Sequence, residues 1–332
     1  MHDVAREAGV SLKTVSRVVN REGGVSEALT ARVESAVAAM GYRPDDRARR
    51  LRRAAPHAAT IGFVLVDVAN PFFSSLLRGI EDVARSRGCL VLAGSTDRSE
   101  VRERRLIEEL VDRRVDGLIV APSGTDVALL TAEIHRGSPV VLLDRELPGD
   151  VPLDVVRSDH YGGALAATRH LLDRGHTEVA YLGDDLQIFT ARLRLAGFRD
   201  AMDAAGLRVP DDRVISGSYP ADEWRTITSG LFDAEPHPTA LFTAQNYVTI
   251  GSVNALHDLG LQHRIALVGF DDFELAETLD PAITVVPQQP REMGRRAAEL
   301  LFRRIDGTDE PPIRDIIDHP LVARGSGEIP PP

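Results

Sequence analysis

From Thr60 onward, short apolar runs alternate with amphipathic stretches, and this alternation constrains the fold more than any other feature of the chain. The runs fall at 61–66, 90–92, 117–120, 140–143, 179–182, 240–242 and 265–268. Runs this short and aliphatic, separated by helix-period segments, predict parallel strands linked by crossover helices. The body spans about 270 residues, which suggests two doubly wound parallel-sheet lobes rather than one. Ligands bind outside the carboxyl ends of the strands in such sheets. The segments to watch are therefore 67–73, 144–145, 183–185, 244–246 and 269–272.

Ahead of the body lies a segment of different character. The net charge of the 332 residues is −11, yet residues 1–59 hold eleven Lys/Arg against seven Asp/Glu. A basic head and an acidic body suit a module that meets phosphate while the remainder stays clear of it. Within the head, Val4, Ala5 and Ala8 share one side of a short helix that Gly9 ends. Ser11 is a natural N-cap for a second helix, in which Val15, Val18 and Val19 turn inward while Leu12, Lys13, Ser16 and Arg17 face away. A third helix, capped by Ser26 and carrying Leu29, Val33, Val37 and Met40, closes an all-α helix-turn-helix head.

The string Asp-Val-Ala-x-x-Ala-Gly-Val-Ser-x-x-Thr-Val-Ser-Arg-Val-Val-Asn at 3–20, with Val-Ser at 25–26 and Gly-Tyr-x-Pro at 41–44, resembles the LacI/GalR family of bacterial regulators. The resemblance implies that the second helix enters the major groove of operator DNA. Leu12, Lys13 and Arg17 would then read base edges, with Ser11, Thr14, Ser16 and Asn20 close to phosphates or bases. The chemistry agrees, because Arg forks onto a guanine edge, Lys donates to guanine acceptors, and Leu suits a thymine methyl. One departure concerns the start: relatives carry a Thr-Ile/Leu pair ahead of the Asp-Val-Ala segment, whereas this sequence begins Met1-His2. Loss of that Thr cap would weaken the head by about 1 kcal/mol.

Residues 44–59 hold five arginines, Arg47, Arg49, Arg50, Arg52 and Arg53, in a helix-capable stretch ended by Pro56. Mutual repulsion keeps such a segment from holding a helix alone. In the resembled family this is a hinge helix that folds on operator DNA, with Leu51 aligned to the minor-groove wedge and Ala48 one turn before it. The expected organisation is therefore 1–43 for the DNA-binding head, 44–59 for the hinge helix and linker, and 60–332 for the body. The body's lobes would cover approximately 60–160 plus 290–317, and 161–289 plus 318–332.

The resemblance continues through Asn70-Pro-Phe-Phe, Asp144-Arg145, Arg192-Leu-Arg-Leu-Ala-Gly-Phe and Gly269-Phe-Asp-Asp, and it implies lobes of the periplasmic-binding-protein type. By that match Phe72, Asp144, Arg194, Tyr219, Asn246, Asp271 and Gln288 face an interlobe cleft. An arginine and carboxylates can hold neighbouring hydroxyls while an aromatic ring covers an apolar sugar face, so a sugar or sugar derivative is the expected effector. Asn246 stands where relatives carry Asp, which keeps the hydrogen-bonding shape without the charge. The expected partners are double-stranded operator DNA and a second copy of the chain. The tail lacks the leucine heptads that tetramers use, and a homodimer reads a palindrome.

The sole lysine is Lys13 and no phosphate-loop, nucleophile-elbow or zinc-protease motif occurs, so no enzyme, cofactor or metal is expected. Asp271-Asp272 is a poor catalytic pair, because neighbours on an extended segment point to opposite faces. A periplasmic solute-binding protein would share the body but carry an export signal in place of the basic head. Neither signal nor membrane-spanning run is seen, and a cytoplasmic location is expected. Cys89 lies in an apolar run and reads as a buried structural thiol.

Overall fold

Gly9 adopts φ +59°, a left-handed conformation that glycine enters without steric penalty, and there the chain turns between its first two helices. The computed structural model describes residues 2–19, 25–39, 59–124, 127–135, 137–149, 151–233 and 235–332, in two units divided after His57. The first unit contains α1 (His2–Glu7), α2 (Leu12–Val19) and α3 (Glu27–Ala39). Val4, Ala8, Val15, Val33 and Ala36 form its buried core. Ser11 Oγ accepts from the Thr14 backbone N–H at 3.1 Å, capping α2, and Arg32 donates to the Ala8 carbonyl at 2.6 Å, tying α3 to the turn.

In the second unit the first lobe contains β1 (Thr60–Leu65), α4 (Pro71–Ser86), β2 (Leu90–Ser95), α5 (Glu100–Asp112), β3 (Leu118–Val120), α6 (Val127–His135), β4 (Val140–Leu143) and β5 (Asp154–Ser158). The second contains α7 (His160–Asp173), β6 (Val179–Gly183), α8 (Phe189–Ala204), β7 (Val214–Ser216), α9 (Glu223–Gly230), β8 (Ala240–Thr243), α10 (Asn246–Asp258), β9 (Ala266–Phe270) and β10 (Thr284–Val286). The chain then returns to lobe 1 with α11 (Pro290–Ile305) and β11 (Arg314–Ile317). The sheets run β2-β1-β3-β4-β5-β11 and β7-β6-β8-β9-β10, and every ladder between these strands is parallel. The two parallel sheets predicted from strand-helix alternation are thus present. The structure adds β5, β7, β10 and β11 to the seven runs visible in the sequence.

Both faces of the central strands of each sheet are buried, as crossover helices require. In lobe 1, Phe63 and Val141 join one core cluster while their neighbours Val64 and Leu142 join the cluster across the sheet. In lobe 2, Tyr181 and Phe242 lie on one side, with Leu182 and Leu241 on the other. Helices α4 and α11 meet through glycines: a Cβ on Gly79 would lie 2.0 Å from the Arg291 carbonyl oxygen, and one on Gly294 would lie 2.1 Å from that of Leu76. Any side chain at either position would force the helices apart.

The chain passes between lobes three times: from β5 into α7, from β10 into α11, and after β11 into the tail, whose Leu321 and Ile329 pack on lobe 2. Ser158, Gln288 and His319 each sit on one crossing. Ser158 Oγ donates to Gln288 Oε1, lashing two crossings together.

Candidate functional site

The order of strands in each sheet reverses beside its first strand, β1 in one lobe and β6 in the other. Loops leaving the carboxyl ends of neighbouring strands diverge there and open a crevice. Around it stand two aspartates in equivalent positions. Asp144 follows β4, and its N–H donates to Val156 O at 2.9 Å; Asp271 follows β9, and its N–H donates to Val286 O at 3.0 Å. Both are left-handed, at φ +70° and +73°, and both are buried. A non-glycine residue in this region is strained by about 1–3 kcal/mol, which the surrounding hydrogen bonds must offset.

This conformation corrects the expectation for Asp271-Asp272. Asp271 is not extended; the two side chains diverge because the left-handed turn sends Asp271 inward while Asp272 pairs with Arg324 at 2.6 Å.

At the centre a cavity of about 40 Å³ is lined by Phe72, Asp144, Arg145, Arg194, Asp271 and Gln288, with Asp67, Asn70, Arg98, Asp184, Thr190 and Gln245 beside them. Arg194 lies with its guanidinium 4.1 Å from the centre of the Phe270 ring, donates to the Ala244 carbonyl at 2.6 Å, and leaves its buried Nε–H unpaired. Arg145 donates to Pro122 O at 2.9 Å and holds Nε 3.4 Å from Asp144. Burial pushes the Asp144 carboxyl above its ordinary range, against the pull of Arg145 and Arg194. Gln288 Nε2 donates to Asp271, and the Asn246 N–H approaches the other Asp271 oxygen at 3.3 Å.

Two of the expected residues take other positions. Asn246 pairs with Asn70 across the lobes, each amide donating to the other at 2.9 and 3.3 Å. Tyr219 stands apart from the cavity, half exposed, with its ring edge-on to Trp224 at 5.2 Å. Asn70 lies in the matched strand-end segment without a site role assigned to it, and nothing in the sequence singles out Arg98 or His160. Arg98 binds Asp184 at 2.7 Å from the opposite lobe. Asn70 also caps α4, accepting from Phe72 N at 3.0 Å, and the Asn-Pro pair at the start of a helix was the signal that marked it. Toward solvent the space widens into grooves of about 470 Å³, beside Arg145, Phe189 and Arg192, and about 330 Å³, beside Phe72 and Phe273.

On the head, Lys13 and Arg17 are exposed one turn apart on α2, with Ser11 exposed and Thr14 half-buried ahead of them. Leu12 and Ser16 occupy α2, but their side chains, like Asn20, Ala48 and Leu51, lie outside the described residues. Among the described residues no three His, Cys, Asp or Glu side chains gather as a metal site, and no helix is long and apolar enough to cross a membrane.

Comparison with known proteins gives two family matches: residues 1–45 to bacterial regulatory proteins of the lacI family, and residues 168–327 to the periplasmic binding protein-like domain. The chain is 37% identical over 317 residues to the ribose operon repressor of Escherichia coli (strain K12), covering 92% of each. It is 34% identical over 330 residues to the HTH-type transcriptional regulator GalR of the same strain, covering 99% of this chain and 95% of that one. The crystal structure of the lac repressor dimer bound to operator and an anti-inducer superposes with a TM-score of 0.73 at 27% identity, over 98% of each chain.

Proposed function

The chain belongs to the lacI family of bacterial regulatory proteins, and from that premise we propose that it is a cytoplasmic, non-enzymatic repressor that binds a palindromic operator as a homodimer and is controlled by a sugar held between its lobes. The observation that carries this reading is the presence, on one chain, of a basic helix-turn-helix head and a cleft where Arg194 and two strained aspartates converge. Its division follows the head at 1–43, the hinge at 44–59 and the body at 60–332.

On DNA, Leu12, Lys13 and Arg17 read base edges, while Ser11, Thr14, Ser16 and Asn20 fix the register on the backbone. Ala48 and Leu51 belong to the hinge, where Leu51 opens a base step in the minor groove. Dimerisation is supported by edge strand β2, whose Leu90 and Leu92 are 61% and 39% exposed, an apolar edge that a second copy would cover. The cleft groups suit a neutral polyol: Arg194, Asp144 and Asp271 take hydroxyls, Phe72 covers a ring face, and Gln288 and Asn246 hold the carboxylates and the opposite lobe in place. Tyr219 joins only if its loop swings inward on binding. Likeness to the ribose operon repressor makes D-ribose the first effector to try.

An effector moves the protein only through its differential affinity for two lobe angles, and converting 99:1 to 1:99 takes about 5.5 kcal/mol. Operator selection followed by anisotropy titration tests the reading. Expected are a two-half-site palindrome, an affinity that falls steeply with salt, and release or tightening on adding D-ribose or another sugar. Affinity that stayed flat as salt rose, or a cleft indifferent to every sugar, would overturn it.

A further inference from the structure

His160 is wholly buried at the start of α7, the first residue of lobe 2 after the β5 crossing. Its Nδ1 lies 3.2 Å from Arg194 Nη2. A guanidinium has no lone pair to offer, so Nδ1 is the acceptor and the neutral ring carries its proton on Nε2. Burial first, and the Arg194 charge second, hold the ring's pKa well below the usual imidazole value, so the neutral form is the one present near neutral pH. The Nε2–H makes no hydrogen bond of normal geometry, although the Asp144 backbone carbonyl lies near enough to favour the protonated ring. It is turned toward Asp144 of lobe 1, whose carboxylate Oδ1 lies 3.7 Å away.

Other contacts across the lobes, such as Asn70 to Asn246 and Arg98 to Asp184, are already made. The His160–Asp144 approach is aimed but about 1 Å too long for a good hydrogen bond. A buried donor in that condition is destabilising, and a small rotation of one lobe would remove the penalty.

We infer that His160 is a positioning residue that couples the ligand-facing groups of the cleft to the lobe angle: it orders Arg194 through Nδ1 and closes onto Asp144 through Nε2–H when the lobes draw together. The inference rests on the cleft being the effector site. His160 itself does not line the cavity. A ligand that engages both Arg194 and Asp144 brings their shared neighbour into range, so occupancy is converted into a rigid link between lobes. A neighbour that merely filled space would have no preferred tautomer and no directional link to Asp144.

Two substitutions separate the two halves of the link. His160→Asn keeps an acceptor near Arg194 but cannot reach Asp144, whereas His160→Gln reaches Asp144 with a donor and gives up the acceptor. With D-ribose as probe, His160→Asn is expected to change ribose affinity by less than about threefold while reducing the ribose-driven change in operator affinity by about tenfold or more. His160→Gln should recover part of that change. Histidine-selective 15N spectra of the unaltered protein should show a pyridine-like Nδ1 and a pyrrole-like Nε2, with the Nε2–H resonance moving on ribose addition. With ribose bound, distances between spin labels on the two lobes should be longer or broader in His160→Asn than in the unaltered protein. The opposite tautomer, unchanged interlobe distances, or a His160→Asn protein that responds fully would overturn the inference. If ribose and other sugars leave the unaltered protein unmoved, the effector reading fails, while the tautomer measurement still decides whether His160 orders Arg194 through Nδ1.

Discussion

In lobe 1 burial pushes two carboxyls up, those of Glu103 and Asp144, and pushes the Arg145 guanidinium down. In lobe 2 the same cause pushes two imidazoles down, those of His160 and His176, and the Tyr181 phenol up. The sheets share an order over five strands, so the scaffold does not dictate this chemistry. The equivalent aspartates sharpen the contrast. Asp271 accepts from Gln288 and from a backbone N–H, whereas Asp144 has an arginine at 3.4 Å and an imidazole donor too far away to bond. Asp271 is the satisfied member of the pair, and Asp144 the one with partners still to be gained.

The largest effect expected from this asymmetry concerns the two cleft arginines. Removing Arg194 takes away a buried cation that is fixed by Ala244, His160 and the Phe270 face. Arg194→Ala should weaken effector binding by about 2–5 kcal/mol, roughly thirty-fold to several thousand-fold, with operator binding retained. Arg145→Ala should cost less, because Arg145 serves the Pro122 carbonyl and a strained neighbour rather than a prepared site. Calorimetric titration of both variants with D-ribose checks this, and equal losses would break the distinction between lobes.

The aspartates come next. In Asp271→Asn the new NH2 must face one of the two donors now satisfied, which costs about 1–3 kcal/mol of stability. Asp144→Asn removes a desolvated charge, keeps a residue that tolerates left-handed backbone, and should be close to neutral. Urea midpoints of the two variants give the comparison directly. A destabilised Asp144→Asn would mean that lobe 1 is as fully paired as lobe 2.

Helix packing offers a control in which the lobes should behave alike. Gly79 and Gly294 let α4 and α11 touch in lobe 1; Gly197 lets α8 approach the Tyr161 carbonyl in lobe 2, where a Cβ would lie 2.4 Å away. Gly79→Ala and Gly197→Ala should each cost about 1–3 kcal/mol by overpacking, read as similar drops in melting temperature. A large difference between them would show that one lobe yields more readily than the other.

Much of this architecture was legible because burial on both faces writes strands as unbroken apolar runs, such as 61–66 and 140–143. Four strands escaped. β10 is three residues long, β7 is only half-buried, and β5 and β11 mix charged residues with aliphatic ones because they lead into the crossings. The head was legible from a contiguous string, whereas cleft residues lie far apart in sequence. Phe72, Asp144, Arg194, Asp271 and Gln288 were reached through strand ends and resemblance. No local pattern predicts that Asn246 meets Asn70 176 residues away, or that Tyr219 turns to Trp224 instead. His160 was invisible for the same reason: its partners, Arg194 and Asp144, come from opposite sides of a crossing.

The smallest expected effect tests the comparison by pH. A histidine kept neutral by burial loses stabilisation as pH falls below about 6.5, because the unfolded chain takes the proton and the folded one does not. His160, His176 and the crossing-strand His319 all carry that sign, and it persists until their lowered folded values are reached. Raised carboxyls carry the opposite sign: Glu103 and Asp144 gain stability as pH falls through their folded values. Glu292, held at about 2 by Arg295 and Arg296, titrates well below this range. Between pH 7.5 and 5.5 amide protection factors, which allow for the slower intrinsic exchange in acid, should therefore fall more in β6 and β8 than in β1 and β4. His319 is the sharpest probe, since both its nitrogens are buried without a partner. His319→Leu removes those unpaired atoms along with the proton site, so its melting temperature should fall less steeply on acidification than that of the unaltered protein. An unchanged slope, or a larger acid loss of protection in lobe 1, would show that the buried imidazoles do not set the response of lobe 2.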